Sequence, residues 1–242
     1  MGRHGTIAGR KAAQDNKRAA LFTKYTRAII IAAKGGGNPD FNASLKNAIE
    51  KAKAINLPND KIDRAIKKGT GELEGETYEE ITFEGYGPGG VAIVVDVLTD
   101  NKNRATSNVK HAFDKNGGNM GVPGCVSYMF ERKGVILIEN EDGDFDEDEV
   151  MENALEAGAE DFKAEDEIFE ILTAPDDFHA VADALRELGY VLAEADVEQV
   201  ASIHSEPKSE HDMKSLVKLI DMLENDDDVQ KVYTNCSVPI EE

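Results

Sequence analysis

The chain has little cysteine, and what it has is badly placed for bridging or metal work. Cys125 and Cys236 stand far apart and outside any Cys-x-x-Cys pair, which excludes a disulfide framework and a zinc knuckle and makes a reducing cytoplasm the expected compartment. Histidine is scarce as well, and His179, His204 and His211 lie at no metal-ligand spacing. Long apolar runs are missing: none approaches the roughly 20 residues that cross a bilayer, and the Met-Gly-Arg-His start lacks the apolar core of a signal peptide. No signature supplies a nucleophile with a base. These absences predict a cytoplasmic protein that is not an enzyme, with no cofactor, metal, small-molecule substrate or membrane partner. Positive charge is the last shortage, with 27 Lys and Arg against 48 Asp and Glu and a net charge of −21. A hydrophobic content of 40% over 242 residues still allows a real core, in one large domain or two to three small ones.

That shortage of positive charge is uneven. Residues 1–70 hold 15 Lys and Arg against 5 Asp and Glu, whereas the rest holds 12 against 43. A sign asymmetry of this size points to a polyanionic partner for the basic part, with the acidic part keeping the protein in solution. The first dozen residues, rich in Gly and basic residues, lack apolar periodicity and read as a basic arm. Leu21, Phe22, Tyr25, Ile29, Ala32 and Ala33 then recur at helical steps until Gly35-Gly36-Gly37 and Pro39 end the run. At about 100° per residue, Lys17, Lys24, Arg27 and Lys34 share an arc of about 100° away from Phe22 and Ile29. Their conversion to Glu is therefore expected to leave stability nearly unchanged. A second helix starts near Ser44, read as its N-cap, and a third runs from Asn59 or Asp60 to Gly69. The candidate phosphate contacts are Arg3, Arg10, Lys11, Lys17, Arg18, Lys24, Arg27 and Lys34, extended by Lys67 and Lys68. Arginine offers bidentate contacts and lysine point charges, which supply affinity without reading sequence. Asn101, Lys102 and Arg104 form a secondary polar candidate further on.

The connector 69–77 is polar and Gly-interrupted, and after it the period becomes strand-like. Residues 78–83 alternate loosely. GYGPGG is a turn, and Val91 to Leu98 is an apolar run suited to a strand covered on both faces. A helix through Val109 and Phe113 and a strand over 125–130 follow. Residues 134–200 read β-α-β-β-α-β, a complete ferredoxin-like unit. The C-terminal segment then offers one helix and one strand, the pieces that the middle segment lacks. The predicted fold class is α+β: an N-terminal three-helix bundle (1–77), then two ferredoxin-like α+β domains, one discontinuous (78–133 and 201–242) and the other inserted in it (134–200).

Three local patterns resemble sites without meeting their requirements. GYGPGG is not followed by the Lys-Ser/Thr of a phosphate loop and suffices as a strand-to-strand turn. The acidic stretch 141–149, aligned as a calcium loop from Asp142, puts Glu147 at the glycine position and Asn153 at the twelfth, so it reads as a solvated helix entry. Cys125 at a strand start reads as a small apolar side chain.

A resemblance covers nearly the whole chain. RKAAQDNKRAALFTK, AAKGGG followed by NP, LPNDKIDRAIKKGTG, YEEITFEGYGPGGVAIVVDVLTDNKNR and NGGNMGVPGCVSYMFERKGVI are similar, in order, to segments of the YebC/PmpR family. That family includes the mitochondrial translational activator of cytochrome oxidase subunit one. The resemblance implies three domains, a basic helical N-terminus and a role in gene expression, either DNA-binding regulation of transcription or ribosome-associated support of translation. The family's Gly-His-Ser-Lys-aromatic start is Gly2-Arg3-His4-Gly5-Thr6-Ile7 here, and its strand-entry Ser is Cys125. The expected function is a non-enzymatic, nucleic-acid-binding regulator of gene expression. Its partner is DNA, or rRNA or tRNA on the ribosome; a protein-protein adaptor is the alternative of another class.

Overall fold

The computed structural model describes residues 7–75, 77–140, 143–165 and 167–238, with the backbone alone for 7–18 and 165. Helix α1 (Ile7–Ala33) is rich in alanine and free of proline, and it starts within the stretch read as an arm. High helix propensity there outweighs the missing apolar period; Arg3 lies outside the described residues. Asn42, not Ser44, joins α1 to helix α2 (Ala43–Ala54). Its side-chain amide donates to the carbonyls of Ala32 (2.7 Å) and Gly36 (2.8 Å), while its Oδ1 accepts from the Leu45 N–H at 3.1 Å. One residue thus closes one helix and caps the next. Helix α3 (Asn59–Gly69) follows Pro58 without a side-chain cap. Ile29, Leu45, Leu57, Ile62 and Ala65 bury the centre of the bundle, which also takes in Tyr78 and Leu98 from the next segment.

Strand β1 (Glu79–Tyr86) turns through Pro88–Gly90 into β2 (Ala92–Thr99). Helix α4 (Lys102–Lys115) and the two-residue strand β3 (Asn119–Met120) follow. Residues 125–129 are not the strand expected from their apolar content. They form a loop and a short 3-10 turn (Ser127–Met129), and β4 runs Phe130–Glu139. The cause is Glu84, 7% exposed, whose carboxylate accepts the N–H groups of Gly124 (2.8 Å), Val126 (2.9 Å) and Ser127 (2.8 Å). Donors held by a carboxylate are not free for a strand ladder.

The chain divides into two compact units, Tyr128–His204 and the residues on either side of it. Tyr128–His204 contains β4, α5 (Glu147–Ala157), β5 (Asp161–Glu165), β6 (Ile168–Thr173), α6 (Phe178–Glu187) and β7 (Leu192–Ala201). Its antiparallel sheet has the order β5-β6-β4-β7, the ferredoxin-like arrangement. Ile136, Ile138, Phe169 and Ile171 meet Val150, Val181 and Leu185 in its core. In the other unit, α7 (Glu210–Glu224) and β8 (Val229–Thr234) complete a second four-stranded antiparallel sheet, order β3-β1-β2-β8. Alternate residues of β2 (Ile93, Val95, Val97) pack on Val109 and Phe113 of α4 and on Leu216 and Leu219 of α7. Ala92, Val94 and Leu98, on its opposite face, are also buried, so both faces are covered.

Candidate nucleic-acid interface

The basic residues separate into two sets once the bundle is placed on the sheet that carries β2. The first set is tied by hydrogen bonds to the rest of the protein. Lys24 Nζ donates to the Glu224 carbonyl at 2.9 Å, and Lys34 Nζ to the Tyr78 carbonyl at 3.1 Å. Burial lowers the Lys24 pKa, against the opposing pull of Glu224, Asp226 and Asp227. The Arg27 guanidinium donates to Asp228 Oδ1 at 2.9 Å, to the Asp227 carbonyl at 2.5 Å and to the Leu98 carbonyl at 3.4 Å. It also lies 5.3 Å from the Tyr78 ring centroid, and its side chain is 12% exposed. From α4, Arg104 brings Nε (3.0 Å) and an Nη (2.9 Å) to the same carboxylate and pairs with Asp100 at 2.7 Å. Its hydrogen bonds to the Asp100 and Asp228 carboxylates raise the Arg104 pKa further.

Within the arc of Lys17, Lys24, Arg27 and Lys34, Lys24 and Arg27 are therefore turned onto the protein, while Lys34 stays exposed. Lys24 and Arg27 hold the bundle to the sheet through the turn between α7 and β8, and Lys34 reaches the Tyr78 carbonyl just before β1; the Lys17 side chain is outside the described residues, like those of Arg10, Lys11 and Arg18. Helical spacing correctly separated apolar from basic, but basic did not mean outward, because acceptors about two hundred residues away in sequence cover that side. Of the secondary candidates, Asn101 caps α4 by accepting the Arg104 N–H at 3.0 Å, and Arg104 is tied to Asp228; Lys102 is exposed.

The second set points out. Lys67 is exposed in the last turn of α3, and the half-buried stem of Lys68 runs beside Gly75. The same helix exposes Lys61 and Arg64, which the sequence reading passed over, although 61, 64 and 68 repeat at i, i+3, i+7 and so share one stripe. Lys61 Nζ stands 5.4 Å over the Phe22 ring. Arg10, Lys11, Lys17 and Arg18 occupy the N-terminal half of α1.

Elsewhere the chemistry is muted. The turn at Pro88–Gly90 is packed rather than open: a Cβ at Gly89 would meet the Pro207 Cα at 3.0 Å and the Lys208 N at 3.2 Å. Asp146 caps α5 through the Glu149 N–H at 3.1 Å, with three acids in the first turn where the helix dipole favours them. Burial, aided by the Glu84 charge, pushes the Cys125 thiol up and keeps it protonated at neutral pH. Among the described residues, no group of three or more His, Cys, Asp or Glu is arranged to hold a metal, and no helix is long and apolar enough to cross a membrane.

Comparison with known proteins divides the chain between the bundle and the first sheet. Residues 3–72 match the model of the TACO1/YebC protein N-terminal domain, and residues 78–236 match that of the TACO1/YebC second and third domain. The chain belongs to the TACO1/YebC family. A probable transcriptional regulatory protein of Clostridioides difficile (strain 630) is 56% identical over 239 residues, spanning 98% of this chain and 100% of that protein. One of Geobacillus kaustophilus (strain HTA426) is 54% identical over 230 residues, 95% of this chain and 93% of that protein. The crystal structure of a conserved hypothetical protein from Aquifex aeolicus superimposes with a TM-score of 0.84 at 46% identity, covering 93% of this chain and 92% of that one. Within this TACO1/YebC chain the basic domain is thus the part matched by the N-terminal family model, and the two sheets are the part matched by the other.

Proposed function

We propose that the chain is a cytoplasmic, non-enzymatic regulator of gene expression that binds nucleic acid through its N-terminal helical domain. The observation that carries this reading is the confinement of the positive charge: 15 of the 27 Lys and Arg fall in residues 1–70 of a chain whose net charge is −21. The names of the relatives, probable transcriptional regulatory proteins, support it. In this reading the phosphate contacts come from Arg3, Arg10, Lys11, Lys17 and Arg18 with the α3 stripe of Lys61, Arg64 and Lys68 and the neighbouring Lys67. Lys24, Arg27, Lys34 and Arg104 hold the domain in place.

A second reading, contact with rRNA or tRNA on the ribosome, is favoured by the acidity of everything after residue 70. A long duplex lying over that surface would be repelled, whereas a folded RNA can be met locally. Sucrose-gradient sedimentation of lysate with and without RNase, beside a promoter pull-down, separates the two. RNase-sensitive comigration with ribosomes supports the RNA reading, and promoter enrichment the DNA one. Associations that survive all nuclease treatment would replace both with a protein-protein adaptor.

A further inference from the structure

Phe41 is the most exposed large hydrophobic residue among those described, at 90% of its full accessibility. It sits in the short 3-10 turn Pro39–Phe41 between α1 and α2, and that turn is held on both sides. The Phe41 N–H donates to the Asn38 carbonyl at 3.2 Å, the Asp40 N–H to Asn38 Oδ1 at 3.0 Å, and Asn42 is fixed by its bonds to Ala32, Gly36 and Leu45. A phenyl ring there adds almost nothing to the core, so the fold does not call for it. Its position is suited to recognition. Gly37, at the start of the same connection, lies so close to α3 that a Cβ on it would meet Thr70 Cγ2 at 2.7 Å and Ile66 Cγ2 at 3.5 Å. The turn and the last turn of α3, with exposed Lys67, therefore share one end of the bundle, in the domain that holds the chain's excess positive charge.

We infer that Phe41 is a stacking platform for an unpaired nucleobase. The inference rests on the nucleic-acid reading above and specifies the form taken: a single strand, loop or bulge in preference to a continuous duplex. Base faces are available to an aromatic ring only where they are not already stacked in a helix, and the interaction is indifferent to sequence because every base has such a face. Although Asp40 adjoins the ring, the excess of Lys and Arg over residues 1–70 favours a polyanion over an apolar groove of a protein as its occupant.

The test measures the full-length chain and the variants F41A and F41W against fluorescein-labelled 12-nucleotide single-stranded RNA, single-stranded DNA of the same sequence, and the corresponding duplex. F41A is expected to weaken single-strand binding roughly 5- to 100-fold, the range that loss of one base-aromatic stack produces, while leaving duplex binding, the salt slope and the thermal melt as in the parent. F41W is expected to retain affinity, and because the chain has no tryptophan of its own, its emission should be quenched by the single strand alone. The stronger of the two single-strand arms identifies the sugar. F41A binding single strands like the parent, or F41W emission untouched by them, would overturn the inference while leaving the nucleic-acid reading intact. Failure of the parent to bind any probe would remove that reading and the inference with it.

Discussion

Two arginines from different helices converge on one carboxylate, that of Asp228. It is 2% exposed and touches the guanidinium groups of both Arg27 and Arg104. Neutralising it strands one guanidinium in a nearly dry site. Loss of one partner of a buried pair costs on the order of 3–5 kcal/mol, and the lower end applies because Arg104 is 43% exposed and can turn to water. Asp228→Ala is therefore expected to lose about 3 kcal/mol in urea denaturation, and a change under about 0.5 kcal/mol, the range of ordinary surface substitutions, would show that the convergence is incidental. The same contacts reverse the expectation for Lys17, Lys24, Arg27 and Lys34 changed together to Glu, which would place carboxylates against Glu224 and Asp228 and melt the domain as well as weaken binding. Glu84 gives a pH signature. Burial alone would raise its pKa, but three backbone N–H donors and Ser127 outweigh that and hold it below the ordinary glutamate value. A depressed folded-state pKa means stability that is present above about pH 4.3, the unfolded value, and lost as pH falls through the folded one. Glu84→Gln should be less stable than the parent at pH 7 and should converge on it toward acid. Parallel stability curves from neutral to acid pH would count against the staple.

At the scale of elements, the bundle depends on how closely α1 and α3 cross. A Cβ on Gly69 would run into the Ile30 carbonyl and the Ala33 side chain, the first of them immovable backbone. Gly69→Ala is expected to destabilise the bundle by about 1–3 kcal/mol, the usual cost of overpacking, although alanine is the better helix former. A melt at or above that of the parent would show that the helices can separate without loss. Charge reversal on the exposed cations of α3 makes the opposite test. Arg64→Glu with Lys67→Glu should leave the melt within about 1 kcal/mol and flatten the dependence of log K on log salt by about 0.7–0.9 per lost phosphate contact. An unchanged slope would remove α3 from the interface. Sequence made these helices and the doubly covered β2 legible because apolar period and glycine stops are local. It could not show which polar side of α1 faces protein, since that is decided by Asp228, nor that Glu84 would claim the N–H groups of Gly124, Val126 and Ser127, nor β3, which at two residues has no period to read. The α3 stripe is legible at i, i+3, i+7, but Lys67 and Lys68 read as an extension of the α1 set leave Lys61 and Arg64 out.

Across the whole molecule, the C-terminal segment has two duties, and removing it separates them from those of the interrupting unit. β8 pairs with β2 from Ile93↔Thr234 to Val97↔Val229, and Leu216, Leu219, Ile220 and Leu223 of α7 fill the core that β2 and α4 share. The turn before β8 also supplies Asp228 and the carbonyls of Glu224 and Asp227, which hold α1. Truncation before Ser205 would thus expose the apolar face of β2 and α4 and release Lys24 and Arg27 together. Tyr128–His204, by contrast, carries its own sheet, two helices and core. We expect residues 128–204 expressed alone to unfold cooperatively in a thermal melt. The truncated chain should keep that one transition, lose amide protection in β1 and β2, and also lose it over residues 24–33 of α1, where the helix no longer has its acceptors. Persistent protection in α1 would mean that α2 and α3 hold the helix unaided and that the Asp228 contacts only orient it. Persistent protection in β2 would overturn the discontinuous domain itself, because an apolar strand stripped of its neighbour and of half its covering helices has no other means of excluding water.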